Sequence, residues 1–131
     1  MISNRVRPTT IFLADDDDDL RELLACTLRA DGYEVIEARD GAELLELLGE
    51  VCTTPWKRPD VIVTDVFMPG YSGLGVLGAL RGTHWKIPVF VITARRDAEV
   101  AEDAIRLGAS RVFRKPFDVT DLRAAIVAQT S

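Results

Sequence analysis

Short apolar runs alternate along the chain with segments in which apolar residues recur every three or four positions. The runs have the length of β-strands, and the segments between them have the periodicity of amphipathic helices. This alternation repeats five times, and it predicts a parallel sheet covered by helices on both faces. The predicted strands are residues 10–14, 33–38, 60–65, 88–93 and 111–114.

The five predicted helices each carry one apolar stripe, and a turn signal follows several of them. Gly32 and Gly108 are predicted to end the first and fourth helices, whereas Gly75 and Gly78 weaken the third. The stretch 51–59 contains two prolines and no periodicity, so we expect a loop there, at the edge of the sheet where the strands begin. The stripes include Leu20, Leu23, Leu24 and Leu28, then Leu44, Leu45 and Leu48, then Leu74, Leu77 and Leu80, then Val100, Ala101, Ala104 and Ile105, and finally Leu122, Ala125 and Ile126.

Composition favours one compact globular domain. The chain has 131 residues, 47% of them hydrophobic and 28% charged, which is enough for a core of ordinary size and too short for a multi-domain enzyme. A formal net charge of -5 argues against nucleic acid as a partner of this domain. Cys26 and Cys52 are predicted to be free thiols, and no stretch approaches the roughly 20 apolar residues that span a bilayer. We therefore expect a cytoplasmic protein that does not enter a membrane.

Polar residues follow four of the predicted strands at the point where each strand ends. Asp15 and Asp16 follow the first strand, Asp65 ends the third, Thr93 ends the fourth and Lys115 follows the fifth. Ligands of an open parallel α/β sheet bind outside the carboxyl ends of its strands, so these side chains are predicted to meet in one crevice.

The chemistry of this set is that of phosphoryl transfer. Crowded carboxylates repel each other, and hard carboxylate oxygens are the ligands that Mg²⁺ prefers. A carboxylate beside such a cation can attack phosphorus, while Lys115 and Thr93 can neutralise or donate to the phosphoryl oxygens. The remainder of the acidic run, Asp17 to Asp19, has a structural explanation, because acidic residues cap helix N-termini.

Four motifs together resemble the receiver domain of two-component response regulators. They are the segments 11–17, 63–73, 91–94 and 115–117, which occur in the family order with family-like spacing. The resemblance covers the chain from about residue 10 to residue 129, with residues 1–9 as an N-terminal extension and no output domain in this chain. It implies a flavodoxin-like α/β fold, with a five-stranded parallel sheet in the order 2-1-3-4-5 and five helices on both faces.

The resemblance also assigns roles to individual residues. It implies that Asp65 accepts the phosphoryl group, that Thr93 is the switch hydroxyl, and that Lys115 pairs with the phosphoryl group and precedes a cis peptide bond to Pro116. Mg²⁺, for which Mn²⁺ could substitute, would be held by Asp15, Asp16, Asp65 and the backbone carbonyl of Phe67. Such a domain catalyses only its own phosphotransfer and autodephosphorylation, so it is a switch rather than an enzyme.

The resemblance to receiver domains also implies the partners. The phosphodonor would be a phosphohistidine on a histidine kinase or a histidine phosphotransfer protein. Phosphorylation would change the surface of the fourth helix, fifth strand and fifth helix. That surface would control a downstream protein or a fused output domain, or form a phosphorylation-linked homodimer.

The sequence departs from the family at one position and leaves alternatives open. Val112 stands three residues before the lysine, where the family commonly has Tyr or Phe, so coupling through an aromatic switch is in doubt. Phe113 points to the opposite face of its strand and is no obvious substitute. Phe67 and Arg95 occupy positions that tune phosphoryl lifetime in this family. The alternative is a pseudo-receiver that signals without phosphate. A Mg²⁺-dependent phosphatase ranks last, because such enzymes typically carry a second acid two residues after the nucleophile, and that position is Phe67 here.

Three other features are interpreted as structural. His84 is expected on the surface, and both cysteines are expected to be inert. Trp56 and Trp85 are expected to pack over the edge of the sheet away from the acidic residues.

Overall fold

The computed structural model describes residues 8–68, 72–83, 85–94 and 97–130, and within these ranges strands and helices alternate strictly. Every predicted strand is present, and each is followed by a helix. The strands are β1 (Thr10–Ala14), β2 (Glu34–Ala38), β3 (Val61–Asp65), β4 (Val89–Ala94) and β5 (Arg111–Lys115). The helices are α1 (Asp18–Ala30), α2 (Gly41–Thr53), α3 (Gly73–Arg81), α4 (Ala98–Arg106) and α5 (Val119–Thr130).

The five strands form one parallel sheet in the order β2-β1-β3-β4-β5, as predicted. The strand order reverses between β1 and β3, which lie side by side at the centre. This switch point places the C-terminal ends of β1 and β3 next to each other. We call the side of the sheet where the strands end the carboxyl edge, and the opposite side the amino edge.

Two hydrophobic cores lie on the two faces of the sheet, which makes a three-layer architecture. Neighbouring residues of a strand enter different cores, because successive side chains of a strand point to opposite faces. Ile11 and Leu13 pack beneath α1 and α5, whereas Phe12 and Ala14 pack beneath α2, α3 and α4. The central strands β1 and β3 are buried along their whole length and are mostly apolar, as expected of strands covered on both faces.

Side-chain caps fix where three of the helices begin. Asp17 accepts a hydrogen bond from the Leu20 N–H at the start of α1, and Asp40 and Ser72 cap α2 and α3 in the same way. The capping role predicted for the acidic run is thus confirmed for Asp17. The α1 cap lies two residues after Asp15, so it also fixes the chain direction at the carboxyl edge.

The stretch 51–59 corrects the sequence interpretation. The predicted loop is largely helical, because α2 continues to Thr53 and a 3-10 helix spans Pro55–Lys57. Pro55 stands at the first position of the 3-10 helix, where a proline lacks only an N–H that would have no partner, so it is compatible with helix. Trp56 is 72% exposed, so its predicted packing over the sheet is wrong, whereas Trp85 is partly buried against the α2/α3/α4 core. Both tryptophans lie at the amino edge.

Smaller differences concern strand ends. The second, third and fourth strands begin at Glu34, Val61 and Val89, each one residue later than predicted. The fourth and fifth strands end at Ala94 and Lys115, again one residue later than predicted. Gly32 and Gly108 follow α1 and α4 with positive φ angles of 97° and 95°, a conformation that glycine adopts without steric cost. Among the described helices, none combines the length and the apolar character needed to cross a membrane.

Gly73 begins α3 in close contact with the backbone of β3. A Cβ atom at this position would lie 2.3 Å from the carbonyl oxygen of Asp65, which is too close for any real contact. The Gly73 N–H also donates to the Val66 carbonyl at 2.9 Å, which holds the helix in place. A side chain here therefore has to displace either the helix or the end of β3.

We expect Gly73→Ala to lower the free energy of unfolding by about 1–3 kcal/mol, because overpacking forces the backbone to shift. Gly78→Ala is the matched control, since Gly78 is exposed in the same helix and a Cβ there would contact nothing within 4 Å. The control should raise the free energy of unfolding by about 0.5–1 kcal/mol. Urea unfolding followed by circular dichroism measures both, and equal effects of the two substitutions would contradict the contact.

Candidate functional site

Four strands deliver the predicted site residues to the carboxyl edge. Asp15 and Asp16 follow β1, Asp65 is the last residue of β3, Thr93 lies near the end of β4, and Lys115 ends β5. The sheet registers align these ends, since Asp65 pairs with Ile92 and Ala94 pairs with Lys115. The convergence predicted from the strand ends is therefore present.

Three carboxylates form the centre of the site. One oxygen from each of Asp15, Asp16 and Asp65 lies within 4.8 Å of the others. Asp15 is completely buried and Asp65 is 6% exposed, whereas Asp16 is open to solvent. The cluster thus has a buried wall and an open side from which a ligand can enter.

Almost every polar atom of Asp15 is held by the surrounding backbone or by one arginine. Its N–H donates to the Ala38 carbonyl at 3.2 Å, and its Oδ1 accepts from the Asp17 N–H at 2.9 Å. Its carbonyl oxygen accepts from Arg21 Nη1 at 2.8 Å. Its Oδ2 is buried without a hydrogen bond, and it faces Lys115 Nζ at 3.8 Å.

Lys115 and the backbone after β3 hold the two oxygens of Asp65. Lys115 Nζ donates to Asp65 Oδ2 at 3.0 Å, and the Phe67 N–H donates to Asp65 Oδ1 at 3.2 Å. The peptide bond between Lys115 and Pro116 is cis, as the sequence predicted. The Phe67 side chain is 57% exposed beside the site.

Thr93 contributes a hydroxyl group whose oxygen has no hydrogen-bond partner among the described residues. The residue is fully buried. An unpartnered buried hydroxyl costs free energy, so its retention at the carboxyl edge needs an explanation. A ligand oxygen arriving in the crevice would supply the missing partner.

Burial and charge shift the pKa values of two site residues in ways that favour a cation. Burial raises the pKa of Asp15 from its ordinary 3.8 to about 6; the Asp17 N–H opposes this rise, and the charge of Asp65 adds to it. Burial disfavours the charged form of Lys115, but the hydrogen bond to Asp65 and the charges of Asp65 and Asp15 outweigh it and raise the pKa of Lys115 above its usual value. The site thus keeps its lysine charged, and its buried aspartate lacks sufficient positive charge nearby.

The donor set fits a hard divalent cation. Mg²⁺ prefers carboxylate and carbonyl oxygens, keeps several waters, and is commonly bound by one or two carboxylates plus phosphate oxygens. Asp15 Oδ2 is an oxygen without a partner at the wall of the cluster, and Asp16 lies on the open side. The residues present therefore match what such a cation requires.

Sequence reasoning missed Arg21, which contacts the site from behind. Its guanidinium is buried, with the residue only 6% exposed, and it binds the Asp15 carbonyl. The available signal was its spacing, since positions 21, 24, 25 and 28 form the buried stripe of α1. A charged residue on such a stripe needs a buried partner. Of the other residues singled out above, Arg95, His84 and 69–71 lie outside the described residues.

Comparison with known proteins connects this geometry to one family. The family model described as the response regulator receiver domain matches residues 11–127. The response regulator MprA of Mycobacterium sp. (strain KMS) is 37% identical over 127 residues, which are 95% of this chain and 53% of that protein. The chain thus spans about half the length of the MprA relatives it matches.

Solved structures agree with the sequence comparison. The receiver domain of the Francisella response regulator 1452 matches with a TM-score of 0.83 and 26% identity, covering 94% of this chain and 96% of that one. The response regulator TrrA of Thermotoga maritima, solved in complex with Mg²⁺ and BeF, matches with a TM-score of 0.78 and 26% identity, covering 92% and 98%. Fold, strand-end residues and relatives point in one direction, and the chain belongs to the response regulator receiver domain family.

Proposed function

We propose that this chain is a phosphorylation-controlled switch in which Asp65 accepts a phosphoryl group in the presence of Mg²⁺. Receiver domains act as signalling switches, and the carrying observation is the arrangement around Asp65. Its carboxylate is bonded to Lys115 at 3.0 Å and lies in a cluster of three acids at the carboxyl edge. This arrangement supports the proposal, because one crevice would then hold a nucleophile, an acid pair for the metal and a cation for the phosphoryl oxygens.

The proposed transfer requires one bond to form and one to break. An oxygen of the Asp65 carboxylate attacks phosphorus and forms the new O–P bond. The P–N bond of a phosphohistidine donor breaks, and its electron pair stays on the imidazole nitrogen, which takes up a proton. Both oxygens of the Asp65 carboxylate accept a hydrogen bond before the reaction, which restricts the orientation of the carboxylate toward the incoming phosphorus.

Asp15, Asp16, Asp65 and the Phe67 carbonyl oxygen would hold the Mg²⁺ ion. Bound there, the ion offsets the negative charge of the carboxylates and of the phosphoryl oxygens. Mn²⁺, which favours similar oxygen ligands, could take its place. Lys115 would bind one phosphoryl oxygen, and Thr93, whose hydroxyl has no partner, would donate to another.

Partners and setting follow from the family assignment. We propose a histidine kinase or a histidine phosphotransfer protein as the donor, and autodephosphorylation as the only other reaction. The output surface would comprise α4, β5 and α5 and would act on a downstream protein, on an output domain or on a second copy of the chain. The proposed location is the cytoplasm, and two free cysteines support a reducing compartment. The proposed domain spans residues 10–129 after an extension at 1–9, and we propose that this domain does not bind nucleic acid.

A pseudo-receiver is the second candidate, and Val112 favours it. Val112 is partly buried and packs against the core beneath α2, α3 and α4, whereas Phe113 is buried in the core beneath α1 and α5. No aromatic ring thus stands at position 112 to move inward when the site is occupied. A change at Thr93 would have to reach the α4 and β5 surface through aliphatic packing alone.

Acetyl phosphate tests the phosphoacceptor directly. With Mg²⁺ present, the unsubstituted chain should gain the mass of one phosphoryl group, and Asp65→Ala should gain none because the attacking oxygen is gone. Asp19→Asn is the matched control, since it removes an exposed carboxylate of the neighbouring acidic run and should label normally. Intact-protein mass spectrometry measures the adduct. An unlabelled native chain, under conditions that label an active receiver domain, would overturn the proposal.

The Asp15 carboxyl predicts a specific pH dependence of stability without divalent cations. The folded chain binds this proton more tightly than the unfolded chain, so the contribution of Asp15 to the free energy of unfolding should fall as pH rises from about 4 to about 6 and then level off. Asp15→Asn should remove this fall. Above pH 6 we expect the variant to be more stable by an amount on the order of 2 kcal/mol, since one pKa unit is about 1.4 kcal/mol.

Urea unfolding in a chelator, followed by circular dichroism at several pH values, measures this effect. Mg²⁺ added at pH 7.5 should stabilise the unsubstituted chain and have much less effect on Asp15→Asn, because the variant lacks one metal-binding oxygen. If both proteins show the same pH profile, Asp15 does not carry the charge penalty assigned to it.

Beryllofluoride with Mg²⁺ distinguishes the switch from the pseudo-receiver. For a switch, backbone amide signals of α4 and β5 should shift when the mimic binds, and Thr93→Val should abolish these distant shifts while those near Asp65 remain. Thr93→Ser keeps the hydroxyl and should preserve the distant shifts. Distant signals that stay fixed in the native chain, with the mimic bound at Asp65, would favour the pseudo-receiver.

A further inference from the structure

Arg21 is the one buried guanidinium among the described residues, and it lies directly behind the acid pair. A buried charge is costly unless it is paired and fully hydrogen-bonded. Arg21 is paired with two carboxylates and donates to one carbonyl, so each of its three nitrogens has a partner. Nη1 donates to the Asp15 carbonyl at 2.8 Å, Nε donates to Glu37 Oε1 at 3.2 Å, and Nη2 lies 2.8 Å from Asp18 Oδ1.

The bond to the Asp15 carbonyl acts on both acids at once. That carbonyl and the Asp16 N–H belong to one rigid peptide plane. Fixing the carbonyl therefore fixes the plane from which the Asp15 side chain leaves on one side and the Asp16 side chain on the other. The Asp15 Oδ1 is held by the Asp17 N–H, so Arg21 supplies the restraint on the carbonyl side of this short segment.

The charges around Arg21 are balanced. Because of this balance, the effect of Arg21 on the position of the acids can be distinguished from the effect of its charge on a cation. Glu37 also pairs with Arg29, whose Nη1 lies 3.2 Å from Glu37 Oε2. Two guanidinium groups, on Arg21 and Arg29, thus face two carboxylates, on Asp18 and Glu37. Removing Arg21 would leave two carboxylates against one guanidinium, and the extra negative charge would attract a cation.

We infer that Arg21 is a positioning residue for the Mg²⁺ site, holding the Asp15–Asp16 peptide so that both carboxylates face the cation. This inference rests on the proposed Mg²⁺ site and adds a residue that does not touch the ion. Groups that orient metal ligands typically change metal affinity 10–100-fold when they are replaced. Positional and electrostatic effects predict opposite signs here, so the sign of the change is decisive.

Mg²⁺ titration by isothermal calorimetry at pH 7.5 tests the inference on full-length variants. Arg21→Met keeps most of the aliphatic stem and loses all three donors, and its Mg²⁺ dissociation constant should rise about tenfold. Arg21→Lys keeps the charge but offers a point donor in place of a planar fork, so its loss should be smaller. An unchanged dissociation constant for folded Arg21→Met would assign Arg21 to stability alone, and a tighter one to charge alone; either result overturns the inference.

Arg123→Met is the matched control. Arg123 binds Asp31 through two hydrogen bonds of 2.8 Å, and this exposed pair joins α5 to the end of α1 far from the acid cluster. Its loss should leave Mg²⁺ affinity unchanged. If the unsubstituted chain itself does not bind Mg²⁺, the proposed function fails together with the inference. If it binds and Arg21→Met binds equally well, the inference alone fails.

A measurement on the unsubstituted chain covers the case in which Arg21→Met does not fold. The Nε–H of Arg21 is buried against Glu37, so its nuclear magnetic resonance signal should exchange slowly with water. That signal should shift during a Mg²⁺ titration with the same dissociation constant as the calorimetry. The Arg123 Nε–H signal serves as the internal reference and should stay fixed. An Arg21 signal that does not respond to Mg²⁺ would overturn the inference.

Discussion

The crowding of three carboxylates at one edge of the sheet is the constraint on which the rest of this structure depends. Their oxygens approach within 4.8 Å, and one of the three side chains has no access to water. Lys115 supplies one positive charge, which does not match three negative ones at this distance. The fold therefore holds a concentrated negative charge in place by packing, and the proposed Mg²⁺ site depends on that charge.

Packing can hold these charges in place because the two hydrophobic cores pack against both faces of the central strands. β1 and β3 are buried along their whole length, and each leads to its acid at the carboxyl edge, where Asp15 and Asp65 are buried as well. The caps of α1 and the glycine contact of α3 then fix the segments that follow. The crowded carboxylates at the carboxyl edge thus lower the stability of the domain locally, and the packing of the apolar interior offsets this cost.

Sequence periodicity predicted the sheet, its layers and the meeting of the five site residues, because strand ends of a parallel sheet share one edge. The chemistry assigned to the site was inferred from residue types, such as the lysine that ends β5 and the aspartate that ends β3, and it stays a prediction. Strand alternation also predicted that Val112 and Phe113 enter different cores. The predictions of the sheet, its layers and the strand alternation are confirmed, because each depends on backbone geometry that is the same in every parallel sheet.

Other features depend on tertiary contacts that periodicity does not encode. The segment 51–59 was interpreted as a loop because prolines interrupt the pattern, yet local hydrogen bonds make most of it helical. The role of Arg21 depends on its bonds to the Asp15 carbonyl and to Glu37, a residue of another element. The exposure of Trp56 likewise follows from the direction of a short 3-10 helix rather than from its apolar character.

The position of the two tryptophans has a practical optical consequence. Trp56 lies in the 3-10 helix that precedes β3, and Trp85 lies just before β4, so both indoles are on the far side of the sheet from the acids. Their emission would report the integrity of the whole domain and would be insensitive to quenching by an ion at the carboxyl edge. Unfolding should change mainly the emission of Trp85, which is partly buried, because Trp56 is already 72% exposed in the folded chain. Occupancy of the carboxyl edge therefore has to be followed by another signal, such as nuclear magnetic resonance or calorimetry.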